Sequence, residues 1–305
     1  MLVSLSSCRG APGVSSWALT LATAWSHPHD RVLVEADCSG GVFGGRYDVA
    51  IEPGSAELVS QARRGRFDAD LDLSRFARHV RTSESRDSEL WVVPSPLSSH
   101  EALDVWRAMA APAAEAMLHD DRLWLADCGR VWHRSPVEAL LAIAPLSIVV
   151  SDGTMPSLLV LKARIESLPN QTAIIVVGDM QYTTDDLIEF TGADYVWNVP
   201  HVKRLDSLAA EFATSGRARR SRTWRAALGI AQTLAAELQS PGQLARSHRE
   251  AHEQTKAPAV VDGPPAAVPG DVGVASAPAV GPEAAETVEP KAVEAVEADQ
   301  TEVAS

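Results

Sequence analysis

Seven short runs of residues between Leu2 and Val199 are apolar at consecutive positions rather than alternate ones. They are Leu2–Ser6, Val32–Ala36, Leu90–Val93, Leu123–Ala126, Leu146–Ser151, Ala173–Val177 and Tyr195–Val199. A strand that is apolar on both faces has to be covered on both, as parallel strands are when helices sandwich them. Helical patterns separate and follow the runs: Ser15–Trp25, His100–Leu118, Ser135–Ala144, Ser157–Leu168, Thr184–Phe190, Lys203–Ala213 and Trp224–Leu238. This alternation predicts a doubly wound α/β domain with a mostly parallel sheet of about seven strands and helices on both faces. Ligands of such sheets sit at the carboxyl ends of the strands.

The first run leads into Ser7-Cys8-Arg9-Gly10-Ala11-Pro12-Gly13-Val14-Ser15-Ser16 and then directly into a helical pattern. Strand, glycine-containing loop and helix together present backbone N–H groups and a helix N-terminus to a phosphate. The second run ends in Val34-Glu35-Ala36-Asp37, and a later one in Leu125-Ala126-Asp127-Cys128-Gly129. Two carboxylates at parallel-strand ends, facing a glycine loop, suit Mg²⁺ and water positioning beside a phosphate chain.

In this order of loop, helix, Asp and Asp, the chain resembles the ParA/MinD-like P-loop ATPases of the SIMIBI class, whose Walker A loop is deviant. Their loops read roughly K-G-G-x-G-K-[ST]-[ST], against Arg9 to Ser16 here. VLVEAD looks like that family's second strand, whose terminal Asp lies near the attacking water. LADCG looks like its Walker B strand and the start of switch II. The stretch AIIVVGDMQYTTDDLIEFTGADYVWNVPHVKR resembles the late segment that forms the base pocket. The resemblance spans about residues 1–238 and is faintest between about 50 and 90. It implies ATP and Mg²⁺ as ligands, with Arg9, Gly10, Gly13, Ser15 and Ser16 binding nucleotide. It also implies Ser15 and Asp127 as Mg²⁺ ligands, Asp37 and Asp127 as the catalytic carboxylates, and a homodimer across the phosphate-loop face. The roles implied are DNA partitioning, septum placement or polar localisation of an assembly such as a pilus, with a protein partner the sequence does not name.

The departures bear on activity. Val14 stands where that family has the lysine that contacts the β- and γ-phosphates. Arg9 replaces the signature lysine that reaches across the dimer, keeping the charge without the compact ammonium geometry. Ala11 replaces a glycine, Pro12 removes a backbone donor, and Cys38 follows Asp37 where a proline is usual. The Walker lysine places charge where the transition state develops it, so its loss cripples hydrolysis. Asp37 and Asp127 are therefore read as vestigial. Three readings stay open: a weak binder and slow ATPase with Arg9 or Arg130 supplying charge, a nucleotide-independent scaffold or pseudo-ATPase, and an architectural likeness alone.

The net charge of −13 is mostly a property of the end of the chain. Residues 257–305 carry nine acids and one lysine, which leaves the first 256 at −5. That end is Pro, Ala, Val, Gly and Glu without an aromatic, which predicts a disordered acidic tail. A domain over 1–240, a linker over 241–256 and the tail over 257–305 are the expected divisions. Three cysteines cannot build a disulfide framework, which points to a reduced, cytoplasmic setting. No apolar run reaches 18 residues, and the first residues lack the basic start and apolar stretch of a signal peptide, so neither an integral membrane segment nor secretion is expected. The acidic Pro/Ala end also argues against a MinD-type amphipathic membrane helix at the C-terminus.

Three smaller features have two readings each. Arg217, Arg219, Arg220, Arg222 and Arg225 form either a solvated loop and helix start or a patch for DNA phosphates or anionic lipid. The resemblance favours nonspecific DNA, and no base-reading motif accompanies the cluster. Cys8, Cys38 and Cys128 all fall at strand ends, as small residues at crowded junctions or as a redox or metal cluster. Gly40 to Gly45 reads as a turn-rich connection or a switch-like segment.

Overall fold

The computed structural model describes residues 1–10, 12–47, 50–52, 54–62, 72–80, 89–203, 205, 209 and 217–239. All seven expected strands form, and an eighth joins them. They are β1 (Leu2–Ser7), β2 (Arg31–Glu35), β3 (Arg78–Val80), β4 (Leu90–Val93), β5 (Leu123–Arg130), β6 (Leu146–Ser151), β7 (Gln171–Val177) and β8 (Tyr195–Val199). Their order across the sheet is β3-β4-β2-β5-β1-β6-β7-β8. Every neighbouring pair is parallel except β3 with β4. The sheet therefore has eight strands rather than about seven. Arg-His-Val gives no two-faced apolar signal because β3 is an antiparallel edge strand, none of whose residues is fully buried.

The helices are α1 (Val14–Ala24), α2 (Phe43–Tyr47), α3 (Ser55–Ala62), α4 (Ser99–Leu118), α5 (Glu138–Ile143), α6 (Met155–Glu166), α7 (Thr184–Thr191) and α8 (Arg222–Gln239). Successive strand residues point to opposite faces and feed separate cores. Val3, Leu33, Ile148 and Ile175 pack under α1 and α8 with Trp17, Leu21, Trp224 and Ile230. Leu2, Val32, Val34 and Trp124 face the other way, against Trp106 and Met117 of α4 and Leu140 of α5. Val149, Ile174 and Val176 face α6 and α7 through Leu158, Leu161 and Leu187. Each fully buried Val, Leu or Ile contributes about 1.5–3 kcal/mol. Two-faced burial across the sheet thus sets the fold, independently of any motif.

Arg31 opens β2 yet is buried. Its guanidinium donates to the carbonyls of Ala22 at 3.1 Å, Thr23 at 3.2 Å and Trp25 at 3.1 Å. These are orphan carbonyls at the end of α1, where the helix dipole favours a cation. The helix expected at Ser135–Ala144 is shorter, because 131–137 turns before α5 begins. Most of the expected Lys203–Ala213 helix lies outside the described residues, as do the linker and acidic tail over 241–305. Among the described residues no helix is long and apolar enough to cross a membrane.

Candidate functional site: a phosphate cradle at the strand ends

β1 hands over to α1 through a turn that only glycine makes comfortable. Gly13, with φ +90°, is the N-cap of α1 and accepts from the Trp17 N–H at 2.9 Å. An L-residue there would be strained by about 1–2 kcal/mol. No side chain caps α1 and no acid stands in its first turn, so its leading N–H groups face the strand-end cavity without a protein acceptor. Val14 begins the helix, lines the cavity and is 6% exposed within the α1/α8 core.

The carboxyl end of β2 supplies the second wall. Glu35 is wholly buried. Its Oε1 accepts the N–H groups of Val42 and Phe43, the latter at 3.0 Å, and its Oε2 accepts the Ser95 N–H at 2.9 Å. Burial raises its pKa and those three N–H groups oppose the rise. Glu35 thereby pins the turn before α2 and the β4–α4 loop to the end of β2. The glycine-rich segment is thus a pinned turn and a short helix. Asp37 accepts from the Ser39 N–H at 2.7 Å. Burial raises its pKa, opposed by Ser39 and by the Arg130 guanidinium.

Asp127 lies between β1 and β2, fully buried. Its Oδ1 accepts from the Gly129 N–H at 3.1 Å, and its Oδ2 has no hydrogen-bond partner among the described residues. Burial pushes its pKa up to about 7; the Ser15 hydroxyl alongside works against the shift, and the charges of Glu35 and Asp37 add to it. At the end of β6, Asp152 accepts from Thr154 through N at 3.0 Å and Oγ1 at 2.9 Å. Slight burial raises its pKa, but the bonds from Thr154 and Ser157 and the charge of Arg9 hold it below the usual range.

These walls enclose a cavity of about 790 Å³, within the range of sites that take cofactor-sized ligands. Of the residues singled out in the sequence, Gly10, Pro12, Gly13, Val14, Ser15, Ser16, Asp37 and Arg130 meet in its lining. Asp127 lies beneath Ser15, and exposed Arg9 stands outside the lining, its charge felt at Asp152. Ala11 is outside the described residues. Sequence reasoning missed Arg46, Asp152 and His201, all of which line the cavity. The strand-end rule reaches Asp152 and His201, which follow β6 and β8. Nothing in the sequence marks Arg46, because its place depends on how Glu35 folds the turn before it.

A phosphate fits the backbone donors of this turn, and a hard cation fits the unpartnered, buried Asp127 Oδ2 with the Ser15 hydroxyl. Among the described residues no three His, Cys, Asp or Glu side chains gather into a metal site. Ser15 and Asp127 are the residues that would hold a Mg²⁺ ion there, which would supply charge to neutralise phosphate.

Solved structures share this architecture. The ParA family ATPase from Chlorobium tepidum TLS matches with a TM-score of 0.59 at 15% identity, over 76% of this chain and 98% of that one. The septum site-determining protein MinD from Pyrococcus horikoshii OT3, complexed with Mg-ADP, matches with a TM-score of 0.59 at 11% identity, over 79% and 98%. The fold is that of the ParA/MinD-type P-loop ATPases. An ATP complex of a Cyanothece McdA variant matches as well, with a TM-score of 0.55 at 11% identity over 77% and 96%. No family model and no curated protein matches the chain. In this chain the loop after β1 carries Val14, an apolar residue, at the start of α1.

The arginine cluster lies elsewhere. Arg217, Arg220, Arg222 and Arg225 are exposed, in the turn before α8 and in its first turn, which holds no acid. Arg219 is half-buried, with its guanidinium 5.3 Å from the centre of the Trp224 ring. Cys38 and Cys128 pack in the apolar core under α4 and α5, and Cys8 packs against the α6/α7 core. Burial raises all three thiols. They behave as small apolar residues at strand junctions.

Proposed function

We propose that this chain is a ParA/MinD-type positioning protein that binds Mg·ATP or Mg·ADP at the strand-end cavity and hydrolyses ATP at or near background. The observation that carries this reading is the pairing of a retained cradle with Val14. Gly10, Gly13, Ser15, Ser16 and Asp37 line the cavity, while the residue in the lysine's place is buried in the core. The retained groups hold and orient a phosphate chain. The missing ammonium is the group that answers the charge developing in the transition state, worth far more in kcat than in binding.

Structural neighbours that include a MinD septum-site protein and a plasmid partition protein support a positioning role in the cell. The chain would serve DNA partitioning, septum placement or polar localisation of an assembly in the cytoplasm, as a homodimer closed across the phosphate-loop face. The arginines at the start of α8 would grip DNA phosphates without reading sequence. Titration calorimetry of the full chain with Mg·ATP and Mg·ADP, beside a phosphate-release assay, tests the reading. Binding without turnover supports it; turnover at the rate of active P-loop ATPases overturns it.

One observation favours a second reading, a nucleotide-independent dimerisation adaptor. Val14 is integral to the α1/α8 core rather than merely short of a charge, and Pro12 removes a donor from the cradle. Absence of any nucleotide binding in the same titration selects it.

A further inference from the structure

We propose that Arg46, in α2, and Arg130, at the end of β5, supply the phosphate charge that position 14 lacks. The inference rests on the nucleotide-binding reading above and names the residues that make it possible. A di- or triphosphate brings several negative charges into a cavity whose turn offers neutral N–H groups and whose carboxylates, Asp37 and Asp152, repel it. Val14 cannot answer that charge, and Arg9 stands outside the lining near Asp152. Arg46 and Arg130 are the two arginines that do line it.

Both are fixed by the fold rather than carried on loose loops. The Arg46 N–H donates to the Val42 carbonyl at 3.0 Å, and Val42 and the adjoining Phe43 are the residues whose N–H groups the buried Glu35 carboxylate holds. Arg130 ends β5 in register with Ser7 of β1, and the next residue, Val131, donates to the Ser7 carbonyl at 2.8 Å. Arg130 thus stands beside the first residue of the glycine turn. Both residues are exposed, and among the described residues neither makes an ion pair. Two guanidinium-bearing residues that line one cavity without a close ion pair are complemented by an anion, and their planar forks suit phosphate oxygens. Arg130 lies beside Ser7 and Gly129 and acts on Asp37, which puts it at the phosphate end that the glycine turn and the strand-end acid define.

The test is titration calorimetry of the full chain with Mg·ATP, Mg·ADP and inorganic tripolyphosphate, comparing wild type with Arg46→Gln, Arg130→Gln and their lysine counterparts. Thermal melts without ligand check that the variants fold. Arg107→Gln, on the exposed side of α4, is the charge-matched control. Each glutamine variant is expected to weaken all three ligands about tenfold or more, as loss of a hydrogen bond between charged groups does. The lysine variants should recover part of that affinity, and the control should stay within about twofold. Wild-type binding that both glutamine variants keep would overturn the assignment of these arginines and leave the nucleotide-binding reading standing. A wild type that binds neither nucleotide nor tripolyphosphate would overturn both.

Discussion

The carboxylate of Asp37 fills the space that a side chain at Gly129 would need: a Cβ there would stand 2.1 Å from the Asp37 carboxyl carbon. Gly129 also has φ +57°, and its N–H holds Asp127 at 3.1 Å. The two strand-end acids are thus spaced by one glycine, which leaves the room the first occupies and bonds the second with its amide.

Gly129→Ala is accordingly expected to cost more than the about 1–2 kcal/mol of left-handed strain alone, because Asp37 has to move as well. For a domain of this size each kcal/mol lowers Tm by about 2–4 °C. A thermal melt showing a loss of less than about 2 °C would mean that Asp37 is not locked there.

Val14→Lys separates two effects. A lysine at a position with 6% exposure carries its ammonium out of the core and into the cavity, so the unliganded variant should melt below wild type. Mg·ATP should bind it more tightly than wild type and recover that stability by mass action. A variant that melts lower and binds no better would show that the cradle itself, and not the lysine, is what has been lost.

The buried acid gives the site a pH dependence of definite sign. Asp127 has a folded pKa of about 7, above its unfolded value, so between roughly pH 4 and 7 the folded state binds the extra proton. Stability therefore falls as pH rises through that window. Asp127→Asn, measured in chelator without nucleotide, should raise Tm at pH 8 and change it much less at pH 5, where the wild-type acid is already neutral. Equal shifts at both pH values would contradict a protonation that changes on folding.

For the arginine cluster, duplex DNA binding should weaken with salt along a log–log slope of about −0.9 per phosphate neutralised, with no sequence preference. Replacing Arg217, Arg220 and Arg222 with Ala should flatten that slope. Arg219→Ala should instead lower Tm, since Arg219 packs over Trp224. Failure of the full chain to bind duplex DNA at about 50 mM salt would leave the cluster as a solvated helix start.

What could be read from sequence follows from where burial leaves a linear trace. The seven parallel strands are legible because residues such as Val32, Leu33 and Val34 must be apolar whichever face they meet. β3 is illegible because none of its three residues is fully buried, whereas β8, at the other edge, buries Tyr195, Val196 and Val199. The strand-end rule locates Asp37 and Asp127, and the glycine spacing of the first loop locates the cradle. It does not reveal that Asp127 is sealed beneath Ser15, or that Arg9 stands outside the lining. Arg46 is hidden for a different reason: it sits among Gly44, Gly45 and Tyr47, with no helical pattern, and a carboxylate eleven residues earlier folds its helix.

Glu35 gives the two loops it joins a common fate in time. Val42 and Phe43 precede Arg46 on one side, Ser95 leaves β4 on the other, and all three amides end on one acid. Breaking that hub frees both segments at once, so hydrogen exchange should record these amides, more than fifty residues apart in sequence, as a single opening event with one rate. The arginine-bearing turn and the β4–α4 loop then make up one cooperative unit, which a partner touching either loop would slow or hasten as a whole.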